Sequence, residues 1–190
     1  MLKRVLSIFA CLVAAALVTP AWADAYSDTI NVFRKAGESR DFFNAAYGYA
    51  VFPTVGKGGV GVGAAHGNGR VYRKGKYVGD TSMTQLTVGL QLGGQAYSEI
   101  IFFQDERAFN EFTRGNFEFG AEASAVAITA GANARASTTG ASAGASGTKN
   151  NATTAGAYNK GMATFTVAKG GLMYEASVGG QKFNYKPRAS

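Results

Sequence analysis

Glycine stands at positions 56, 58, 59, 61 and 63 within the stretch GYAVFPTVGKGGVGVGAA, residues 48–65, and no other run limits the possible folds so much. A short apolar segment, Tyr49 to Phe52, and then Pro53 precede it. Val60 and Val62 alternate with Gly59, Gly61 and Gly63, so at the strand period the valines share one face and the glycines the other. A strand with a bare glycine face is weak by itself, because glycine loses the most backbone freedom on ordering. Such a strand needs a close neighbour: a second backbone, an aromatic ring or a ligand. The chain supplies rings in its 13 phenylalanines and 9 tyrosines.

The first 23 residues read as a secretory signal peptide. Met1–Arg4 is a short basic start, Val5–Val18 is apolar, and Ala21-Trp22-Ala23 is a small-x-small cleavage site. The apolar run is short for a membrane span. Cys11 loosely resembles a lipoprotein processing site, but too few apolar residues precede it, so cleavage after Ala23 without a lipid anchor is expected. The expected location is therefore periplasmic or secreted, with peripheral contact to an outer or inner membrane.

Residues 24–190 then form a single domain, long enough to bury roughly 70% of its unfolded surface. Cys11, the sole cysteine, leaves with the leader, which excludes disulfides, thiol chemistry and Cys-ligated metal. Of 19 lysines and arginines, Lys3 and Arg4 also leave, while all 12 acids stay, so the mature chain keeps a moderate positive excess. That excess suits an anionic partner such as a phospholipid headgroup, or simply solubility. Export, and the lack of a basic segment interleaved with stacking aromatics, argue against nucleic acid.

Tyr26, Ile30 and Phe33 lie on one face of a helix that Gly37 should stop. Ser39 is placed to cap a second helix, Arg40 to Tyr47, and Asp105 a third, Glu106 to Thr113, ended by Gly115. Elsewhere strands and turns dominate. Gly67-Asn68-Gly69 and Lys74-Gly75 both read as hairpin turns. From Gln85 to Leu92 the alternation is regular and places Leu86, Val88, Leu90 and Leu92 on the buried side. Ile100–Phe103 is too continuously apolar to have a solvent face, so it is expected to be central. Phe117–Ala134 alternates small residues as one long strand, and 136–157 is a low-complexity loop of Ala, Gly, Ser, Thr and Asn. A closing hairpin, Met162–Ala168 and Leu172–Val178, precedes a last strand, Lys182–Tyr185. The expected class is α+β: a glycine-rich, strongly curved antiparallel sheet, sandwich- or half-barrel-like, with about ten strands and three short helices.

Catalytic motifs are scarce. Gly56-Lys57-Gly58-Gly59-Val60-Gly61 fits G-x-G-x-x-G, but that fingerprint needs a following helix, and residues 60–66 alternate as a strand. His66 is the sole histidine, too few for His-ligated zinc, and no serine stands in a nucleophile elbow. Glu118 and Glu122 are about 13 Å apart on strand spacing, too far for a carboxylate pair. No enzyme activity, metal or cofactor is expected.

Arg70, Arg73, Lys74 and Lys76 cluster around one turn, with Lys57 at the glycine run and Arg34 and Lys35 at the end of the first helix. A curved small-residue sheet with such a rim suits an apolar groove with a few polar orienters. The alternative is a groove filled by rings beside a solvated basic edge.

Four segments resemble the SYLF domain family of lipid- and actin-associated proteins: GYAVFPTVGKGGVGVG, GKYVGDTSMTQLTVGLQLGGQAYSEIIFF, DERAFNEF and GLMYEASVGGQKF. The likeness covers about Tyr26 to Lys186; the insertion at 136–157 and the leader depart from the eukaryotic members. The resemblance implies binding rather than catalysis. Eukaryotic members are described as phosphoinositide binders through a basic amphipathic N-terminal segment, and some fungal members bundle actin. For an exported chain it implies affinity for anionic phospholipid such as phosphatidylglycerol or cardiolipin, carried by Arg34, Lys35 and Lys57. The 70–76 cluster is added on electrostatic grounds. The second expectation is a structural or partner-binding domain of the cell envelope, engaged through the 136–157 loop or an exposed edge strand.

Overall fold

A computed structural model describes residues 21–120, 123, 125–128, 158–169 and 179–189. Most of the expected leader, most of the 119–134 stretch, the whole 136–157 loop and the strand expected at 172–178 lie outside the described residues.

The chain enters through helix α1, Ala21–Lys35, whose Tyr26 and Phe33 are buried as the spacing predicts; Ile30 is half-buried, and Thr29 is buried beside them. The expected second helix is instead two single turns, α2 (Gly37–Arg40) and α3 (Phe42–Ala45). Ser39 does not cap it. Its hydroxyl donates to the Phe33 carbonyl at 2.6 Å, and Arg40 reaches the Arg34 and Lys35 carbonyls, so both residues satisfy the end of α1. The later helix α4, Glu106–Thr113, forms as expected. The Asp105 carboxylate accepts the Ala108 N–H at 2.8 Å, and Ala108, Phe109 and Phe112 face inward.

The sheet is built on one ribbon. Strand β1 (Gly48–Arg73) pairs antiparallel with β2 (Lys76–Phe103) from Gly48↔Phe103 to Arg73↔Lys76. Their connection is the expected Lys74-Gly75 turn, with φ of 49° and 77°, the left-handed pair that matches strand twist. The expected turn at Gly67-Asn68-Gly69 is absent; the strand runs through it, with Gly67 opposite Met83 and Gly69 opposite Thr81. Those glycines serve close approach instead. A Cβ at Gly67 would lie 2.8 Å from the Val55 side chain, and one at Gly69 2.6 Å from the Phe52 ring.

Gly48 similarly faces the Tyr72 carbonyl, and Lys74 N–H donates to the Tyr47 carbonyl at 3.2 Å. The second half of β1 therefore doubles back along the first, about a bend at Gly59 (φ 155°) and the register shift between Val60 and Val62. Pro53, which has no N–H to give a ladder, sits at another register shift, and its carbonyl accepts from Ser98 Oγ at 2.8 Å.

Two further strands extend the ribbon. β5 (Met162–Lys169) pairs with Ala96–Phe103, and β6 (Gln181–Pro187) with Gly79–Gln85. Short β3 (Phe117–Glu118) joins β6, and β4 (Val126–Ile128) runs parallel to β5. The long strand expected from Phe117 is thus divided, within its described part, between the two ends of the sheet. The result is a strongly curved, mainly antiparallel half-barrel, with six strands among the described residues rather than about ten. The count is lower because β1 and β2 each run on through positions whose composition suggests a break, and because the strand expected at 172–178 lies outside the described residues.

Each face of the sheet carries a core. On the concave side Phe52, Val71, Met83, Ile101 and Phe103 meet α4, Phe119 and Phe183. On the other side Tyr49, Val51, Ile100, Phe102 and Phe165 meet α1, Phe42 and Phe43. Rings fill the concavity: Phe112 lies 4.8 Å from Phe103 and 5.0 Å from Phe183, centroid to centroid. One expectation is inverted at its described end: Leu86 is 78% exposed and Gln85 is buried, while the side chains of Val88, Leu90 and Leu92 lie outside the described residues. On β1 Val62 is 62% exposed and Gly63, Gly67 and Gly69 on the opposite side are buried, as a bare glycine face in need of a close neighbour requires.

Candidate functional site

The cations gather where the ribbon turns. Arg73, Lys74 and Lys76 are exposed around the β1–β2 turn, and Arg188, just beyond β6, joins them because its N–H donates to the Val78 carbonyl at 2.9 Å. Among the described residues no carboxylate lies within ion-pair distance of these four. Asp80, an acid close by, accepts the Tyr77 hydroxyl at 2.7 Å.

Aromatic rings hold the cations in place. Arg70 lies between Tyr26 and Tyr77, at 4.3 and 4.9 Å from the ring centroids, and Arg188 lies 4.9 Å from Tyr77 as well. Arg73 sits 5.9 Å from Phe109 and Lys74 5.5 Å from Tyr47. Arg34 covers Phe43 at 5.1 Å. It also acts on Tyr49, which stacks on Tyr72 at 5.0 Å, so the end of α1 connects to the turn through a chain of rings. Burial pushes the Tyr26, Tyr49 and Tyr185 phenols up, against the opposing pull of Arg70, Arg34 and Arg73 respectively. These phenols stay neutral at physiological pH, so the charge of the region is that of its cations and Asp80.

An open groove of about 520 Å³ lies here, lined by Arg73, Tyr77, Val78, Phe109, Tyr185 and Arg188. The expected residues Arg70, Arg73, Lys74 and Lys76 thus gather at this end, and Arg34 connects to it through Tyr49 and Tyr72, while Lys35 makes no contact there among the described residues. Lys57 stands apart, paired with Gln95 near the bend of the ribbon. Sequence reasoning misses Arg188, since it ends the last strand at Tyr185. The signal is present in Lys186-Pro187-Arg188, a basic continuation of the strand.

A second polar cluster is also missed. Glu99 is fully buried on the concave side, with Oε2 accepting from Gln181 Nε2 at 3.0 Å. Gln181 Nε2 stands 3.5 Å from the Tyr97 hydroxyl, while Glu99 Oε1 and Gln181 Oε1 have no partner among the described residues. Burial pushes the Glu99 carboxyl up to about 7, only partly opposed by Gln181. The sequence signal is an acid directly before an apolar run that admits no solvent face. His66 lies on the exposed side of β1, Glu118 pairs with Lys182 at 3.4 Å, and Glu122 is outside the described residues. Among the described residues no cluster of His, Cys, Asp or Glu is suited to a metal ion.

A comparison with curated proteins gives no match. Residues 84–189 match the family model Ysc84, described as Las17-binding protein actin regulator. That span takes in most of β2, α4, β5 and β6, more than half of the chain, together with Arg188 of the groove. The chain belongs to the Ysc84 (SYLF) domain family.

Proposed function

We propose that this chain is an exported, non-catalytic domain that associates with membrane surfaces by recognising anionic phospholipid. The observation that carries the reading is the cluster of Arg73, Lys74, Lys76 and Arg188, without ion-pair partners among the described residues, held over an aromatic floor at one end of the sheet. Each Lys or Arg near an anionic surface contributes about 1 kcal/mol, so clustering is what makes the sum useful. Among the described residues no helix is long and apolar enough to cross a membrane. The family's description concerns actin regulation and Las17 binding. A leader such as residues 1–23 would take the chain away from cytoskeletal partners, and the anionic surface is the part of family behaviour that an exported member retains.

Co-sedimentation with vesicles tests this. Binding should rise with the fraction of phosphatidylglycerol, and should fall as salt shortens the screening length from about 10 Å at 0.1 M. Arg73→Glu combined with Lys76→Glu should weaken binding at least tenfold. Equal binding to neutral and anionic vesicles would refute the reading.

A further inference from the structure

We propose that the groove between Arg73 and Arg188 is a stoichiometric site for the phosphodiester headgroup of a single glycerophospholipid. This rests on the lipid reading above but goes beyond it, from a charged surface to a discrete site holding one molecule.

The donors available in the groove support this. Arg73 closes β1 and Arg188 follows β6, so two guanidinium groups from distant parts of the sequence line one depression. Each lies against a ring, Phe109 at 5.9 Å and Tyr77 at 4.9 Å. Neither guanidinium has a hydrogen-bond or ion-pair partner among the described residues, so their N–H groups are available for the paired contacts by which arginine grips two phosphate oxygens. The tyrosine hydroxyls have other work: Tyr77 donates to Asp80 at 2.7 Å and Tyr185 to the Val78 carbonyl at 3.1 Å. The two arginines are therefore the principal donors left to a ligand.

The remaining lining chooses among anions. Phe109, Val78 and the bodies of the two tyrosines form an apolar floor beside the arginines. Free phosphate gains nothing from that floor, whereas a glycerol backbone and the first methylenes of an acyl chain do. The volume of about 520 Å³ falls in the range of small-ligand pockets, about 300–1,000 Å³. The groove thus takes a headgroup with its stem, while the open side lets the rest of each chain remain in the bilayer. Lys74 and Lys76 flank the turn but do not line the groove, so they add attraction without recognition.

The test is calorimetric titration of the full mature chain with dihexanoyl-phosphatidylglycerol below its micelle concentration, run beside inorganic phosphate and the vesicle assay. One lipid per chain is expected, with phosphate at least tenfold weaker. Arg73→Gln with Arg188→Gln should weaken monomer binding at least tenfold. Lys74→Gln with Lys76→Gln removes the same charge outside the groove and should weaken it clearly less than the arginine pair does. Arg73→Lys with Arg188→Lys keeps the charge, removes the planar fork and should still cost several-fold; it also serves if the glutamine pair fails to fold by circular dichroism. Equal losses in the glutamine pairs would overturn the proposal, as would phosphate binding as tightly as the lipid. If vesicles bind and the monomeric lipid does not, the groove is refuted and the surface reading stands; if neither binds, both fall.

Discussion

The two halves of the β1–β2 ribbon contain strands of the same kind in opposite circumstances. Around Val51 and Phe102 both faces are covered and both edges of β2 are paired, with β1 and β5, so Ile100 to Phe103 have no solvent contact. Around Ala64 and Leu86 the edges are paired again, with β1 and β6, yet no described element covers the outward face and Leu86 is 78% exposed. The difference lies in the second layer. α1, α2 and α3 lie over the first half, where Phe42 and Phe43 press on Phe102 at 5.5 and 4.9 Å, and α1 meets the second half only toward its turn end, where Tyr26 lies 4.3 Å from Arg70. Alternation in a strand defines two faces, and the layer available to cover one of them decides which is inside.

The largest effect expected from this contrast is in the covered half. Phe102→Ala should lower unfolding free energy by about 3–5 kcal/mol, measured by urea titration, whereas Leu86→Ala should change it by less than about 0.5 kcal/mol. A large loss at Leu86 would mean that its face is covered after all.

Glu99 gives the next effect, and its sign is fixed. Its folded pKa, about 7, lies above the ordinary 4.5, so the fold favours the protonated acid. The associated stability is fully present below pH 4.5, is lost as pH rises to about 7, and stays lost above it. The loss is on the order of 3 kcal/mol at most, because each tenfold change in proton affinity is worth about 1.36 kcal/mol. Glu99→Gln keeps the shape and removes the charge, so it should flatten the stability–pH profile between about pH 5 and about 8. An unchanged profile would place the titration elsewhere.

A smaller contrast lies between two glycines of β1. Gly69→Ala would press a methyl group toward the Phe52 ring and the Val51 carbonyl, costing about 1–3 kcal/mol. Gly56→Ala meets nothing within 4 Å and should be neutral or stabilising by about 0.4–1 kcal/mol, through the unfolded chain. Similar losses at both would contradict the doubling back of β1.

The sequence revealed what depends on local chemistry. Asp105 and the helix after it, the Lys74-Gly75 turn, the helix face of Tyr26 and Phe33, and the burial of Ile100–Phe103 are all decided within a few residues. It misled where a residue type has two uses. Gly67-Asn68-Gly69 has turn composition, but inward glycines opposite Phe52 and Val55 serve close approach, which no local window distinguishes. Leu86 and Gln85 exchange their expected places because Gln85 finds a distant partner, donating to the Gly179 carbonyl at 2.8 Å. For the site, the cluster at residues 70–76 was legible because it is contiguous. Arg188 and Gln181 were not, since β6 reaches Arg73 and Glu99 only through pairing with β2.

β2 is the strand against which β1, β5 and β6 are all laid. Its hairpin with β1 can begin at the two-residue turn, but its last rungs join Gly48 to Phe103, far apart in sequence. The outer strands gain a template only after that zipping is well advanced. Folding should therefore be slow for a chain of this size, as sequence-distant pairings demand, with β6 and the arginine beyond it arriving late.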